Sequence, residues 1–217
     1  SEKYGVGIIG DAAQAHGAAI GSEKVGSLAD IECFSFYPTK NMTTGEGGMV
    51  TTDNEDLYHR LNSIRNHGRP SSELGVYEHE NFGLNLRLTD IASAIGRVQL
   101  RKLDSMNEAR ARNASILLEE ISGARGISLP TVPSGVTHSW HQFTIMVENR
   151  DSLRDSLESS GIGSGVYYPR PLYDYPHLSK FAAECPKAEK AAKTVLSLPV
   201  HPGLSDEEVR SVATKVV

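Results

Sequence analysis

Lys40 stands just past an apolar, β-leaning run, Ile31 to Phe36, that Pro38 brings to a stop. A lysine held there sits in partly desolvated surroundings. Desolvation disfavours the ammonium form and frees the amine as a nucleophile, the state a Schiff-base lysine needs. An isolated lysine is ordinarily a solvated surface group, so its neighbours matter. Asp11 closes a shorter run, Val6, Ile8 and Ile9, which reads as a buried strand. Ligands of open α/β sheets bind outside the carboxyl ends of the strands. An Asp there can hold a protonated ring nitrogen, and Ala12 and Ala13 let a flat ring lie close to the backbone. The commoner use of a strand-end Asp is a turn or a helix cap. Ser35 alternates with Phe34 and Phe36 and so points to the opposite side of its strand. Its hydroxyl could take a phosphate; the residues alone favour a bond to its own backbone.

These residues need elements to position them. Val6–Gly10, Ile31–Phe36 and Gly48–Thr52 read as strands, with a helix or loop over 12–27. That order predicts a parallel βαβ unit. Gly45, Gly47 and Gly48 supply turn geometry after Lys40, at a spacing that fits neither a dinucleotide nor a P-loop fingerprint. Asp53 or Asn54 can cap a helix to about Asn66, and 67–84 reads as a loop. Apolar residues recur at helical spacing from Ile91 to Ile121, ended by Gly123 and Gly126. Further on, Phe143, Ile145 and Val147 alternate as a strand, and Asp151 opens a short helix closed by Gly161. Val166 to Tyr168 reads as another strand, 184–196 as helical, and Ser205 with Glu208 as a capping box.

Four blocks, DAAQAHGA, FSFYPTKNMTTGEGGMVTTD, GLNLRLTDIASAIGRVQL and LSLPVHPGLSDEEV, run in order along the chain. Together they resemble the DegT/DnrJ-type sugar aminotransferases, pyridoxal-phosphate-dependent enzymes of the aspartate aminotransferase fold. The resemblance implies an α/β fold: the C-terminal portion of a large, mostly parallel cofactor-binding domain over 1–122, and a small α+β domain over 123–217. The opening SEKYG reads as the end of a helix, so the chain is expected to begin mid-domain. The family's N-terminal part is missing, with its Gly-Thr/Ser phosphate turn and its ring-stacking aromatic residue.

The resemblance also implies roles. Lys40 would form the Schiff base with pyridoxal 5'-phosphate and then shuttle the proton; dehydratases of the family carry histidine there. Asp11 would pair with the pyridine nitrogen, Gln14 would sit near the ring hydroxyl, and Ser35 would bind phosphate. Asn85 would reach across a homodimer interface to the partner's phosphate, and Arg87 would support that loop or meet a substrate anion. Tyr168 and Pro169 match a segment bordering the family's active site, where Tyr173 replaces a frequent histidine. The implied reaction moves an amino group from glutamate or a similar amino acid to a nucleotide-linked keto-sugar. Another keto acceptor, or a non-catalytic regulatory role on the same scaffold, is the alternative.

Composition fits an ordinary globular chain. Of 217 residues, 39% are apolar and 23% charged, with a net charge of −5. That balance favours neither nucleic acid nor an anionic membrane as partner. No apolar run approaches the roughly 20 residues of a membrane span. Cys33 and Cys185 lie far apart, which argues against a disulfide framework and suits a reducing cytoplasm. His138-x-x-His141 lacks the Cys or carboxylate that would complete a metal set, and His16, His67 and His201 read as ordinary structural histidines.

Overall fold

The computed structural model describes residues 3–70 and 78–217. In chain order its elements are β1 (Ile9–Asp11), β2 (Ala19–Ile20), β3 (Glu23–Lys24), β4 (Ile31–Ser35), β5 (Gly48–Thr51), α1 (Glu55–Arg65) and α2 (Asp90–Ile121). There follow β6 (Ile127–Ser128), β7 (Val136–Thr137), β8 (Phe143–Val147), α3 (Arg150–Ser159), α4 (Pro186–Thr194), β9 (Val195–Leu198) and α5 (Asp206–Val216). The chain divides into two compact units, one of Ser1–Met106 with Ser134–Ser139, the other of Asn107–Pro133 with Trp140–Val217.

In the first unit, β4 lies between β1 and β5, parallel to β1 and antiparallel to β5. The expected parallel pair is present, but its connection is not a helix. Gly17, Gly21 and Gly26 adopt φ of 78°, 60° and 122°, a region that breaks helical continuity and suits glycine. The segment instead forms β2 and β3, which join β7 in a small antiparallel sheet. The expectation that Val6, Ile8 and Ile9 are buried is also corrected. Among the described residues β4 is the only strand beside β1, and Ile9 is 72% exposed. β5 returns antiparallel because the 36–47 connection is a turn-rich loop with no crossover element. Phe36, Met42 and Leu103 form this unit's small core, with Phe34 packed against it.

Two helix starts agree with the sequence, whereas α3 begins at Arg150, with Asp151 inside its first turn instead of capping it. Asn54 Oδ1 accepts the Leu57 amide at 3.0 Å to start α1, and Thr89 Oγ1 accepts the Ala92 amide at 3.2 Å to start α2. The 78–84 part of the expected loop has neither helix nor strand, and the remainder of that expectation falls partly on 71–77, outside the described residues.

The second unit has an antiparallel sheet in the order β6-β8-β9. Leu117 and Ile121 of α2 pack with Phe143, Ile145, Leu157, Leu196 and Val209 in one core. Each fully buried side chain of this kind contributes about 1.5–3 kcal/mol. The Ser205–Glu208 capping box is formed. Two expectations differ. Val166–Tyr168 is not a strand; only Gly165 bridges to Ser197. The helix expected over 184–196 ends at Thr194, and Val195 turns into β9, because Leu196 and Leu198 bury completely or nearly so when they alternate beside β8.

Candidate active site

Register fixes the first part of the site. Asp11 pairs with Cys33 across the parallel β1–β4 ladder, and Ser35 lies two residues farther along β4. Partners in a ladder face the same side, and so do residues two apart. Asp11, Cys33 and Ser35 therefore share one face at the carboxyl ends of the two parallel strands. Gly48 is the partner of Ser35 on β5 and leaves that position clear of a side chain. A Cβ at Gly48 would come within 2.7 Å of Phe34 O, so glycine is required there. Asp11 is exposed, and its Oδ1 accepts the Ala13 amide at 3.1 Å. Ser35 is half-buried, and its Oγ accepts the Tyr37 amide at 3.3 Å. That is the local backbone bond which the residues alone favoured.

β4 runs directly into the lysine turn. The Lys40 amide donates to Tyr37 O at 3.0 Å, closing a four-residue turn with Pro38 in the second position, which proline's fixed φ suits. The Thr44 amide and Thr43 Oγ1 both donate to Phe36 O, at 3.1 and 2.8 Å. The Phe36 amide donates to Gly47 O at 2.9 Å, so the loop folds back on the end of its own strand. Lys40 is left half-buried.

Below this turn lies a group that sequence reasoning assigned only a structural part. His16 is 3% exposed, with its ring 5.3 Å from that of Phe34 and 6.0 Å from that of Phe36. Burial pushes its pKa below the ordinary histidine value; a bond to the Ser35 backbone opposes this, and the nearby Lys40 charge adds to it. The imidazole is thus held neutral next to the lysine turn. No spacing signal marks His16, because it lies in an irregular, Gly- and Ala-rich stretch.

A second buried group braces the parallel pair. Glu32 is 5% exposed, and its Oε2 accepts the amides of Gly26 and, at 3.0 Å, Leu28. It stands beside Gly10, where a Cβ would meet Glu32 Cγ at 2.9 Å. A cavity of about 560 Å³ in the same unit is lined by His16, Phe34, Phe36, Met42, Met49 and Leu103, among others, and by none of the site residues expected from the sequence.

Gln14 is exposed, and its carbonyl accepts Ser139 Oγ at 3.1 Å. Asn85 lies on a different loop, tied to the end of α1 by the Leu84 amide to Ile64 O and the Leu86 amide to Arg65 O, each 2.9 Å. Its side chain is exposed, and Oδ1 accepts Arg87 Nε at 2.9 Å, the loop-supporting part expected of Arg87. Asp11, Ser35 and Lys40 are thus gathered by β1, β4 and the turn after it, whereas Asn85 is presented elsewhere. In the second unit, Tyr173 Oη donates to Glu189 Oε1 at 2.8 Å. Desolvation, then the bond to Glu189 and its charge, push the phenol up to about 12. Among the described residues no group of three His, Cys, Asp or Glu side chains could hold a metal ion. Among them, too, no helix is long and apolar enough to cross a membrane.

The sequence profile of the DegT/DnrJ/EryC1/StrS aminotransferase family matches residues 1–217. The chain belongs to this family. A UDP-N-acetyl-3-dehydro-alpha-D-glucosamine 3-aminotransferase of Acidithiobacillus ferrooxidans is 39% identical over 218 residues, which cover all of this chain and 58% of the relative. A dTDP-3-amino-3,4,6-trideoxy-alpha-D-glucose transaminase of Streptomyces venezuelae is 37% identical, covering all of this chain and 57% of its own length. The crystal structure of S. venezuelae DesV in complex with a ketimine intermediate superposes with a TM-score of 0.92 at 36% identity, over 99% of this chain and 58% of that one. This likeness bears out the expected α/β fold class. The chain spans a little under three fifths of the length of these DegT-family relatives.

The donor set fits the cofactor expected of a DegT-family member. A carboxylate, a hydroxyl and a half-buried primary amine, the group types such a cofactor needs, all lie at the carboxyl ends of one parallel pair or in the turn that follows.

Proposed function

We propose that this chain serves the pyridoxal-phosphate-dependent transfer of an amino group from an amino acid, glutamate in the reading preferred here, to a nucleotide-linked keto-sugar. One observation carries the reading. The turn that presents Lys40 grows directly out of the strand whose Ser35 shares a face with Asp11. Both curated relatives compared above are named for amino transfer on nucleotide sugars, which supports the acceptor class.

When bound, pyridoxal phosphate supplies an electron sink for the carbon that gains or loses the amino group. The Asp11 carboxylate would hold the ring nitrogen protonated. Its exposed position at the strand end suits a hydrogen bond from a flat ring passing over Ala12, which is 2% exposed and too small to block it. Gln14 would flank the ring hydroxyl. Ser35 Oγ would donate to a phosphate oxygen while accepting the Tyr37 amide, since a hydroxyl can do both. Lys40 Nζ would anchor the cofactor covalently and, once released, carry a proton between the substrate carbon and the cofactor carbon. Asn85, presented outward on its own loop, suits phosphate contact in a second copy within a homodimer with shared sites.

The test is chemical. The purified chain is mixed with pyridoxal phosphate, reduced with borohydride and peptide-mapped. The expected result is a yellow solution and a stable adduct on Lys40, lost in Lys40→Ala together with transaminase activity on a panel of nucleotide keto-sugars. Full activity in Lys40→Ala would sink the assignment.

A further inference from the structure

We propose that Asn41 and Ser139 form a strap that holds the Lys40 turn in place, making Asn41 a positioning residue for the cofactor lysine. The inference rests on the functional reading above. Asn41 follows Lys40 directly and is 4% exposed. Its Nδ2 donates to Ser139 O at 2.7 Å, across 98 positions of sequence. Ser139 is equally buried and donates its Oγ to Gln14 O at 3.1 Å. One residue thus holds the side chain next to the lysine and the backbone at Gln14 at the same time.

Ser139 is itself anchored. β7 ends two residues before it and pairs with β2, and the Gly21 amide donates to Gly135 O at 2.7 Å. The bonds within the lysine loop are local by contrast. Lys40 reaches back to Tyr37, and Thr43 and Thr44 reach back to Phe36. Local bonds fix the shape of the turn, and the bond through Asn41 fixes where that shape sits. This matters because a displacement of about 1 Å in a reacting group costs on the order of a hundredfold in rate. The Asn41 amide and Ser139 are both buried, so loss of this bond is felt at the turn rather than at the surface.

Two readouts on the 217-residue chain test the strap. The first is the rate of borohydride-trapped labelling by pyridoxal phosphate, mapped to Lys40 and, as an internal control, to the exposed Lys180. The second needs no cofactor: hydrogen exchange of the Lys40 and Thr44 amides against those of β8. In Asn41→Ala, labelling at Lys40 falls about tenfold, the equivalent of roughly one buried hydrogen bond. Exchange at Lys40 and Thr44 quickens by a similar factor, while Lys180 and β8 stay as they were. Asn41→Asp is nearly the same size but sets a carboxylate against a carbonyl. At neutral pH it loses more than the alanine variant, and acidification restores it as the protonated carboxyl becomes a donor.

Ser139→Ala keeps the carbonyl that Asn41 uses and removes the bond to Gln14, so its effect is smaller. In the double variant with Asn41→Ala the two losses do not add. If Asn41→Ala fails to fold, Asn41→Asp decides the matter. Wild-type labelling and exchange in Asn41→Asp at neutral pH would overturn the strap. A wild-type chain with no label on Lys40 refutes the functional reading, and the exchange data then decide the strap by themselves.

Discussion

Glu32 gives the sharpest test of how the parallel pair is held. Its carboxylate is buried, and one oxygen accepts two backbone amides, those of Gly26 and Leu28. Hydrogen bonds to a charged acceptor contribute about 1.5–3 kcal/mol each, and roughly half of that once the acceptor is neutral. Glu32→Gln can place its amide oxygen where Oε2 stood. It keeps both bonds and loses only their charge assistance, so an expected loss is about 1.5–3 kcal/mol. Glu32→Ala leaves both amides without this acceptor and opens space beside Gly10, and about 3–6 kcal/mol follows. Urea unfolding followed by circular dichroism measures both, read from the midpoint with the slope unchanged. Amide exchange at Gly26 and Leu28 locates the loss. The reasoning fails if Glu32→Ala is within about 0.5 kcal/mol of wild type, the range of an ordinary surface substitution. It fails equally if the glutamine variant is as damaged as the alanine one, because the bonds would then not depend on the oxygen.

Further outcomes follow from the two shifted groups. Because the folded pKa of His16 is depressed, the unfolded chain binds its proton first. Stability is held above the ordinary histidine value of about 6.5 and falls as pH drops below it, by at most about 1.4 kcal/mol per unit. His16→Phe, compared with wild type by urea unfolding across this range, should lose that part of the pH dependence; an unchanged profile would refute the burial argument. Tyr173 has a raised pKa, so its contribution is present below the ordinary tyrosine value of about 10 and disappears as pH rises through about 12. In Glu189→Gln the last tyrosine to ionise in an ultraviolet titration should do so at lower pH, and an unmoved titration would show that the Glu189 contact is not responsible.

Local chemistry was legible because it is written in short stretches. Asn54, Thr89 and Ser205 start helices through bonds made within three residues, so their types and positions suffice to place α1, α2 and α5. Four ordered blocks were enough to find the family, and the placement of Lys40 past a strand end was visible in the run from Ile31 to Pro38. What stayed hidden depends on partners far along the chain. Leu196 and Leu198 became strand rather than helix because β8 offered them a ladder and a core. Ile9 looked buried by its type, but exposure depends on what lies alongside, and among the described residues only β4 lies beside β1.

The sequence by itself determined which groups could do chemistry: an amine, a carboxylate and a hydroxyl, each at the end of an apolar run. It did so because residue type and strand alternation are local properties. Only the tertiary structure decided that Asp11 and Ser35 share a face, since that depends on the register between β1 and β4. It alone placed His16 beside the lysine turn and joined Asn41 to Gln14 through Ser139. Those contacts span up to 125 positions, and chain closure over such distances leaves no local pattern to read.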